Sequence, residues 1–172
     1  MEMEERKGVI TFKGGALTLI GPEVKVGDTA PGFKVLNNSL GEVTLDQYKG
    51  KTLILSVAPS LDTPVCAEQT RRFNKEIANL PAGVEVLTIT ADLPFAQGRF
   101  CGGEGVKITT LSDHRDMSFG NAYGTHIKEL RLEARSIFVI GKDGKVKYVE
   151  YVSEVTNHPD YDKALQAAKS NA

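Results

Sequence analysis

The sequence has no tryptophan and only two cysteines, Cys66 and Cys101, among its 172 residues. Two cysteines are too few for the disulfide scaffold of a small secreted protein. No apolar run reaches the roughly 18 residues that a membrane-spanning helix needs. The formal net charge is −1, so no basic excess indicates binding to nucleic acid or to an anionic membrane. With 41% hydrophobic and 25% charged residues, the composition is typical of an ordinary globular protein.

The N-terminal segment MEMEERKG is acidic and has no apolar stretch. We therefore expect no secretory signal and a cytoplasmic location, in which a disulfide between the two cysteines would be transient rather than structural. The three histidines, His114, His126 and His158, lack the spacing of metal ligands. We expect neither a bound metal nor a cofactor.

The most informative stretch runs from Thr52 to residue 80. Its first part, Thr52–Ala58, is apolar and partly β-branched, which predicts a strand buried on both faces. Pro59 ends this strand. A helix is predicted to begin near Thr63 as its N-cap, with Pro64 at the first helical position, and to continue to about residue 80.

This register places Cys66 at the third helical position, at the head of the core-facing side of the helix. The same side continues with Thr70, Phe73, Ile77 and Leu80. The thiolate is the nucleophilic form of cysteine, and helix N-termini and nearby cations favour it. We expect backbone amides and the Thr63 hydroxyl to donate to this sulfur. The alternative is an inert core cysteine, but strand, proline, Thr-x-x-Cys and helix together favour a reactive one.

The rest of the chain predicts an α/β protein with a thioredoxin-like fold, a mixed central sheet flanked by helices, and an N-terminal β-hairpin. We expect one domain over residues 1–172, with residues 1–20 as the hairpin extension. From Thr52 onward, with one insert omitted, the predicted order is β-α-β-α-β-β-α. The predicted strands are Val9–Phe12, Ala16–Ile20, Phe33–Leu36, Glu42–Leu45, Val84–Ala91, Ile108–Leu111, Arg135–Ile140 and Val146–Val152, and the further helices are Leu93–Cys101, Asp116–Tyr123 and Pro159–Lys169.

The helix start lacks the Cys-x-x-Cys pair of a thioredoxin-type dithiol, because Gln69 stands three residues after Cys66. Instead, residues 59–66, PSLDTPVC, match the Pro-x-x-x-Thr-x-x-Cys motif of peroxiredoxins. The segment GDTAPGF, residues 27–33, resembles the N-terminal signature of that family. The segments TPVCAEQTRRFN, ADLPFAQGRFCGGEG, LSDHR and HPDYDKAL resemble its bacterial thiol peroxidase branch, so the similarity covers nearly the whole chain.

The resemblance implies that Cys66 is the peroxidatic cysteine, whose thiolate attacks a hydroperoxide and becomes a sulfenic acid. It implies that Cys101 is the resolving cysteine, which forms an intramolecular disulfide with Cys66 that thioredoxin reduces. Thr63 aligns with the threonine that holds thiolate and peroxide, Arg135 with the active-site arginine, and Pro59 with the proline that shields the pocket. Family members are commonly homodimers, so we expect one here.

Two other functions are compatible with the same fold: a redox sensor that passes oxidation to a partner protein, and a non-catalytic holdase or interaction module. Without the motif, Arg135 would be interpreted as a solvated or ion-paired strand end, and Thr63 as a structural cap. The glycines at 98, 102, 103 and 105 predict a segment around Cys101 that melts easily.

Overall fold

The computed structural model describes residues 2–172. The strands are β1 (Glu5–Phe12), β2 (Gly15–Ile20), β3 (Lys34–Leu36), β4 (Glu42–Thr44), β5 (Thr52–Val57), β6 (Val84–Thr90), β7 (Thr109–Ser112), β8 (His126–Ile127), β9 (Leu132–Glu133), β10 (Ser136–Ile140) and β11 (Val146–Tyr151). The helices are α1 (Pro64–Glu76), α2 (Pro94–Glu104), α3 (Ser118–Tyr123) and α4 (Tyr161–Ser170), with 3₁₀ turns at Leu45–Tyr48 and Ile77–Asn79.

Seven strands form a mixed sheet in the order β11-β10-β5-β6-β7-β3-β4. Strands β5, β6 and β7 run parallel, while β10 is antiparallel to β5 and β11 to β10. Every residue of β5 is buried, as expected for a central strand with both faces covered. This arrangement confirms the predicted thioredoxin-like fold.

Each face of the sheet carries its own hydrophobic core. On one face, Phe73 of α1 and Leu165 of α4 pack in a cluster with Ile54 of β5. On the other face, Phe119 and Tyr123 of α3 stack with ring centroids 4.2 Å apart, in a cluster that also contains other residues of β5 and β10. Because β5 is fixed from both sides, the chain that leaves its end and enters α1 starts from a rigid support.

The predicted N-terminal hairpin is present, and it belongs to a second sheet of order β1-β2-β8-β9. Strands β8 and β9 were not predicted, because two residues each give no periodic signal. They form by pairing with the hairpin, and Ile10, Leu19, Ile127 and Val155 bury a small core beneath it.

The prediction that the second helix ends at Cys101 was wrong by almost one turn. Helix α2 continues to Glu104 and ends at Gly105, which takes the left-handed conformation (φ 66°) and donates its N–H to the carbonyl of Cys101. The Glu104 carboxylate accepts two hydrogen bonds from Arg71 of α1, at 2.8 and 2.9 Å. Cys101 therefore lies inside the helix. None of the helices within residues 2–172 has the length and apolarity needed to cross a membrane.

Candidate active site

Cys66 occupies the predicted position at the start of α1. Thr63 is the extended N-cap residue (φ −99°, ψ 147°), Pro64 is the first helical residue, and Cys66 is the third. The cysteine is completely buried, with 0% of its surface exposed. A thiolate at this position faces the positive end of the helix dipole in a site without bulk water.

The guanidinium of Arg135 lies against the sulfur. Its Nη2 donates to Cys66 Sγ at 3.2 Å, its Nη1 to Gln69 Oε1 at 2.8 Å, and its Nε to the carbonyl of Val155 at 2.8 Å. Arg135 is only 2% exposed, so its charge needs compensation inside the protein. The oxygens of Gln69 and Val155 are neutral acceptors. Among these three contacts of Arg135, only the Cys66 sulfur can carry a negative charge.

Gln69 fixes one side of this guanidinium and was missed as a site residue in the sequence. Its side chain is buried, and its Nε2 donates to Ser56 Oγ at 2.8 Å and to the Val57 carbonyl at 3.3 Å. The amide is thereby oriented with Oε1 towards Arg135. One signal was available: residues three apart on a helix share a face, so Gln69 lies beside Cys66.

The other side of Arg135 is fixed by the segment that contains Val155, which the N-terminal hairpin holds. The Val155 N–H donates to the carbonyl of Thr11 at 2.9 Å, and the Glu154 carboxylate accepts from the N–H of Gly14 at 2.9 Å. Hydrogen bonds from Thr156 and Gly14 lower the pKa of Glu154 to about 2. This half-buried carboxylate therefore stays ionised and keeps its acceptor role at neutral pH.

Thr63, Pro59 and Arg135 line one pocket of about 470 Å³, which reaches the start of α1 at Pro64 and Val65. The expected hydrogen bond from the Thr63 hydroxyl to the sulfur is not formed, because that hydroxyl donates to the carbonyl of Ser60 at 2.9 Å. Much of the remaining lining is apolar. It includes Phe12, Val65, Ile127, Leu130, Leu132 and Val155.

Tyr161, at the start of α4, is a further neighbour that the sequence did not indicate. Its ring packs edge-on against Phe73, with centroids 5.5 Å apart, and its hydroxyl contacts His158 Nδ1 at 2.7 Å. Burial raises the pKa of Tyr161 to about 12, although the charge of Arg135 opposes this shift. The phenol is therefore neutral at physiological pH.

Cys101 is not in contact with Cys66, and both thiols are free. Cys101 is partly exposed on α2, and its Sγ lies 3.5 Å from Thr110 Oγ1 of β7. The structure thus brings Cys66 and Arg135 together, and Thr63 and Pro59 line a pocket with Arg135. It leaves Cys101 on the neighbouring helix.

A buried thiol at a helix start, with a guanidinium fixed on it in a thioredoxin-like fold, defines a thiol-based redox protein. The model of the Redoxin family matches residues 25–165, and the chain belongs to that family.

Within the family, the similarity to thiol peroxidases is extensive. The chain is 64% identical to the thiol peroxidase of Bacillus subtilis over 162 residues, which cover 94% of this chain and 96% of that one. It is 63% identical to the thiol peroxidase of Halalkalibacterium halodurans, over 94% of this chain and 97% of the relative. A peroxiredoxin-like protein of Aquifex aeolicus matches over the full length of both chains, with a TM-score of 0.89 and 38% identity. The chain therefore falls in the thiol peroxidase branch.

Proposed function

We propose that this protein reduces hydrogen peroxide and organic hydroperoxides at Cys66, and that a thioredoxin-type dithiol protein then reduces the oxidised enzyme. The observation that carries the proposal is the 3.2 Å contact between Arg135 Nη2 and Cys66 Sγ at the helix start. A cation in this position favours the thiolate before the reaction. It can also stabilise the oxygen that leaves during it.

The first step is a displacement at oxygen. The electron pair of the Cys66 thiolate forms a bond to the terminal oxygen of the hydroperoxide, and the O–O bond breaks. The sulfur is oxidised to a sulfenic acid, and the pair of the broken bond leaves as alkoxide or hydroxide, which takes up a proton to give an alcohol or water. Arg135 is placed to stabilise the negative charge that develops on this leaving oxygen.

Thr63 and the apolar pocket lining are assigned to peroxide binding. The Thr63 hydroxyl donates a hydrogen bond to the Ser60 carbonyl, but its oxygen keeps lone pairs that can accept the peroxide O–H. Phe12, Ile127 and Leu130 suit an alkyl group, which supports organic hydroperoxides as substrates. Pro59 covers the adjoining wall and limits the access of water to the thiolate.

Cys101 is assigned to the second step, in which its thiol displaces water from the Cys66 sulfenic acid and forms an intramolecular disulfide. A disulfide requires Cα atoms closer than about 7 Å, and the two cysteines here hydrogen-bond to different partners. We propose that α2 unfolds locally to bring Cys101 to Cys66. Only Pro94 and Gln97 of this helix are buried, and each of its interior glycines costs about 1 kcal/mol relative to alanine.

The variant Cys101→Ser tests this assignment. It is expected to consume one equivalent of peroxide, and then to stall as a sulfenic acid or become over-oxidised, because no second thiol is in the chain. Mass spectrometry of peroxide-treated wild type should show the loss of two hydrogens and a cross-linked peptide between residues 66 and 101. Normal cycling of the serine variant with thioredoxin, or a wild type that forms only disulfide-linked dimers, would remove Cys101 from the resolving role.

The variant Gln69→Leu tests the support of Arg135. It leaves a buried N–H of the guanidinium without an acceptor, which costs about 1–3 kcal/mol. We expect the oxidation of Cys66 to slow by about tenfold, because part of this free-energy cost raises the activation free energy of the reaction. Stopped-flow measurement with hydrogen peroxide gives the rate. Lys75→Leu, an exposed change on the same helix, should react like the wild type, and an equal rate for Gln69→Leu would contradict the role.

The reductant is assigned to thioredoxin because an intramolecular disulfide is the natural substrate of its dithiol. A coupled assay with thioredoxin, thioredoxin reductase and NADPH should show peroxide-dependent oxidation of NADPH. Hydrogen peroxide and a bulky alkyl hydroperoxide, compared in this assay, also measure the contribution of the apolar pocket. Stoichiometric oxidation without turnover would favour a sensor, and consumption that is independent of Cys66 would refute the proposal.

We also propose that the enzyme is a cytoplasmic homodimer. The dimer is supported by an exposed apolar surface that consists of Val9 and Phe12 on the hairpin and Leu130 beside the pocket. Sedimentation equilibrium of the reduced protein gives the oligomeric state, and a monomer at micromolar concentration would overturn this assignment.

A further inference from the structure

Two acidic side chains are buried near Arg135: Glu133, at the end of β9, and Asp113. Glu133 is 0% exposed and Asp113 is 2% exposed. Both carboxyl groups lie against Gly120, whose N–H donates to Asp113 Oδ2 at 2.8 Å and on which a Cβ would lie 3.0 Å from Glu133 Oε1. Two ionised carboxylates in one buried site would repel each other and offer only acceptors, so the site favours a proton on one of the two.

The surroundings assign the proton to Glu133. The two oxygens of Asp113 accept the N–H groups of Phe119 and Gly120, at 2.9 and 2.8 Å, so both already act as acceptors. Glu133 Oε2 accepts from the Thr125 hydroxyl, whereas Oε1 has no hydrogen-bond donor among residues 2–172. Burial and the neighbouring Asp113 both raise the pKa of Glu133 well above its usual value.

The nearby cations are engaged with other acceptors. The Arg131 guanidinium donates to the carbonyls of His114 and Arg115, and Arg6 donates to those of Gly21 and Gly124. His126, which pairs with Glu133 in the sheet, holds Asn121 through its Nδ1. Burial lowers the pKa of His126, so this imidazole is neutral at physiological pH.

The pair connects β9, which ends two residues before Arg135, with α3. Glu133 belongs to β9, and the next residue, Ala134, donates its N–H to the carbonyl of Thr125 at 2.7 Å. Asp113 holds the start of α3. Gly120 of that helix permits the close approach, because a Cβ there would lie 3.0 Å from Glu133 Oε1 and 3.1 Å from Oε2.

We propose that Glu133 is a positioning residue for Arg135: the proton that it shares with Asp113 holds β9 against α3, and loss of this proton at alkaline pH loosens the Arg135–Cys66 contact. The consequence for catalysis rests on the proposed peroxidase function. With both carboxylates ionised, two negative charges repel each other in a buried site. The segment from Thr125 to Arg135 relaxes, and the reaction of Cys66 with peroxide slows.

The first test is the pH profile of Cys66 oxidation by hydrogen peroxide, followed by stopped flow from about pH 6 to about pH 9.5. Glu133→Gln keeps the shape and replaces the titrating proton by a permanent amide donor. Wild type and the exposed control Glu4→Gln should slow by about fivefold or more at the alkaline end, while Glu133→Gln should change by less than about twofold there. Equal profiles for wild type and Glu133→Gln, or no alkaline decline in wild type, overturn the proposal.

The second test needs no peroxide and so separates this proposal from the proposed function. The folded protein retains the proton of Glu133 to a higher pH than the unfolded chain, so this group makes the free energy of unfolding fall as pH rises above the usual range of a glutamate. The urea midpoint of wild type should therefore decrease relative to that of Glu133→Gln between about pH 5 and about pH 9. A constant difference between the two midpoints shows that the pair holds no shared proton and overturns the proposal.

Discussion

Replacing Cys66 by serine is expected to abolish peroxide reduction. The substitution changes one atom in a completely buried site, so the packing around α1 should remain intact. The hydroxyl of serine has a far higher pKa than a thiol, and neither the helix dipole nor Arg135 can make it an effective nucleophile at neutral pH. We expect the rate in the coupled assay to fall by about a thousandfold or more, to the uncatalysed background.

Two controls make this result specific to the nucleophile. Thermal unfolding of Cys66→Ser should remain cooperative, which shows that the fold persists. Cys101→Ser should retain the first oxidation step at close to the wild-type rate, because Cys101 does not contact Cys66 or Arg135. More than a trace of turnover in purified Cys66→Ser would show that another group reacts with peroxide.

The unit from β5 to α1 was predictable because its signals are local. A buried apolar strand, Pro59, the N-cap Thr63 and Pro64 all lie within a few residues, and each restricts the backbone directly. Once the helix start is fixed, the third helical position of Cys66 follows by counting. The assignment of Arg135 came from the resemblance alone, since the residue is 69 positions away along the chain.

The supports of Arg135 were not predictable because they depend on tertiary contacts. Gln69 was noticed only as the residue that excludes a Cys-x-x-Cys pair, and a backbone carbonyl such as that of Val155 gives no sequence signal. Strands β8 and β9 exist because the N-terminal hairpin pairs with them. Glu133 was not singled out in the sequence, since nothing local indicates that it is buried near Asp113.

Arg135→Lys is expected to slow the oxidation of Cys66 severely although the positive charge is kept. Three nitrogens of the guanidinium donate to three acceptors on two segments, namely Cys66 and Gln69 of α1 and the carbonyl of Val155. An ammonium is a single donor centre on a flexible stem and cannot reproduce this planar arrangement. At least one buried acceptor then loses its partner, and the cation is no longer fixed beside the sulfur and the leaving oxygen.

Losing such a fixed donor costs about 3 kcal/mol in the transition state, so we expect the stopped-flow rate constant of Arg135→Lys to drop by about a hundredfold. Arg115→Lys is the matched control: the same exchange at an exposed arginine, 3.9 Å from Glu42, should leave the rate unchanged. The size of the loss separates two roles of Arg135. If charge alone supports the thiolate, lysine should restore most of the activity, and a rate near that of wild type would show that the oriented guanidinium is not required. A loss close to that of Arg135→Ala would instead show that catalysis depends on the direction of the donors, because lysine keeps the charge and loses only the geometry.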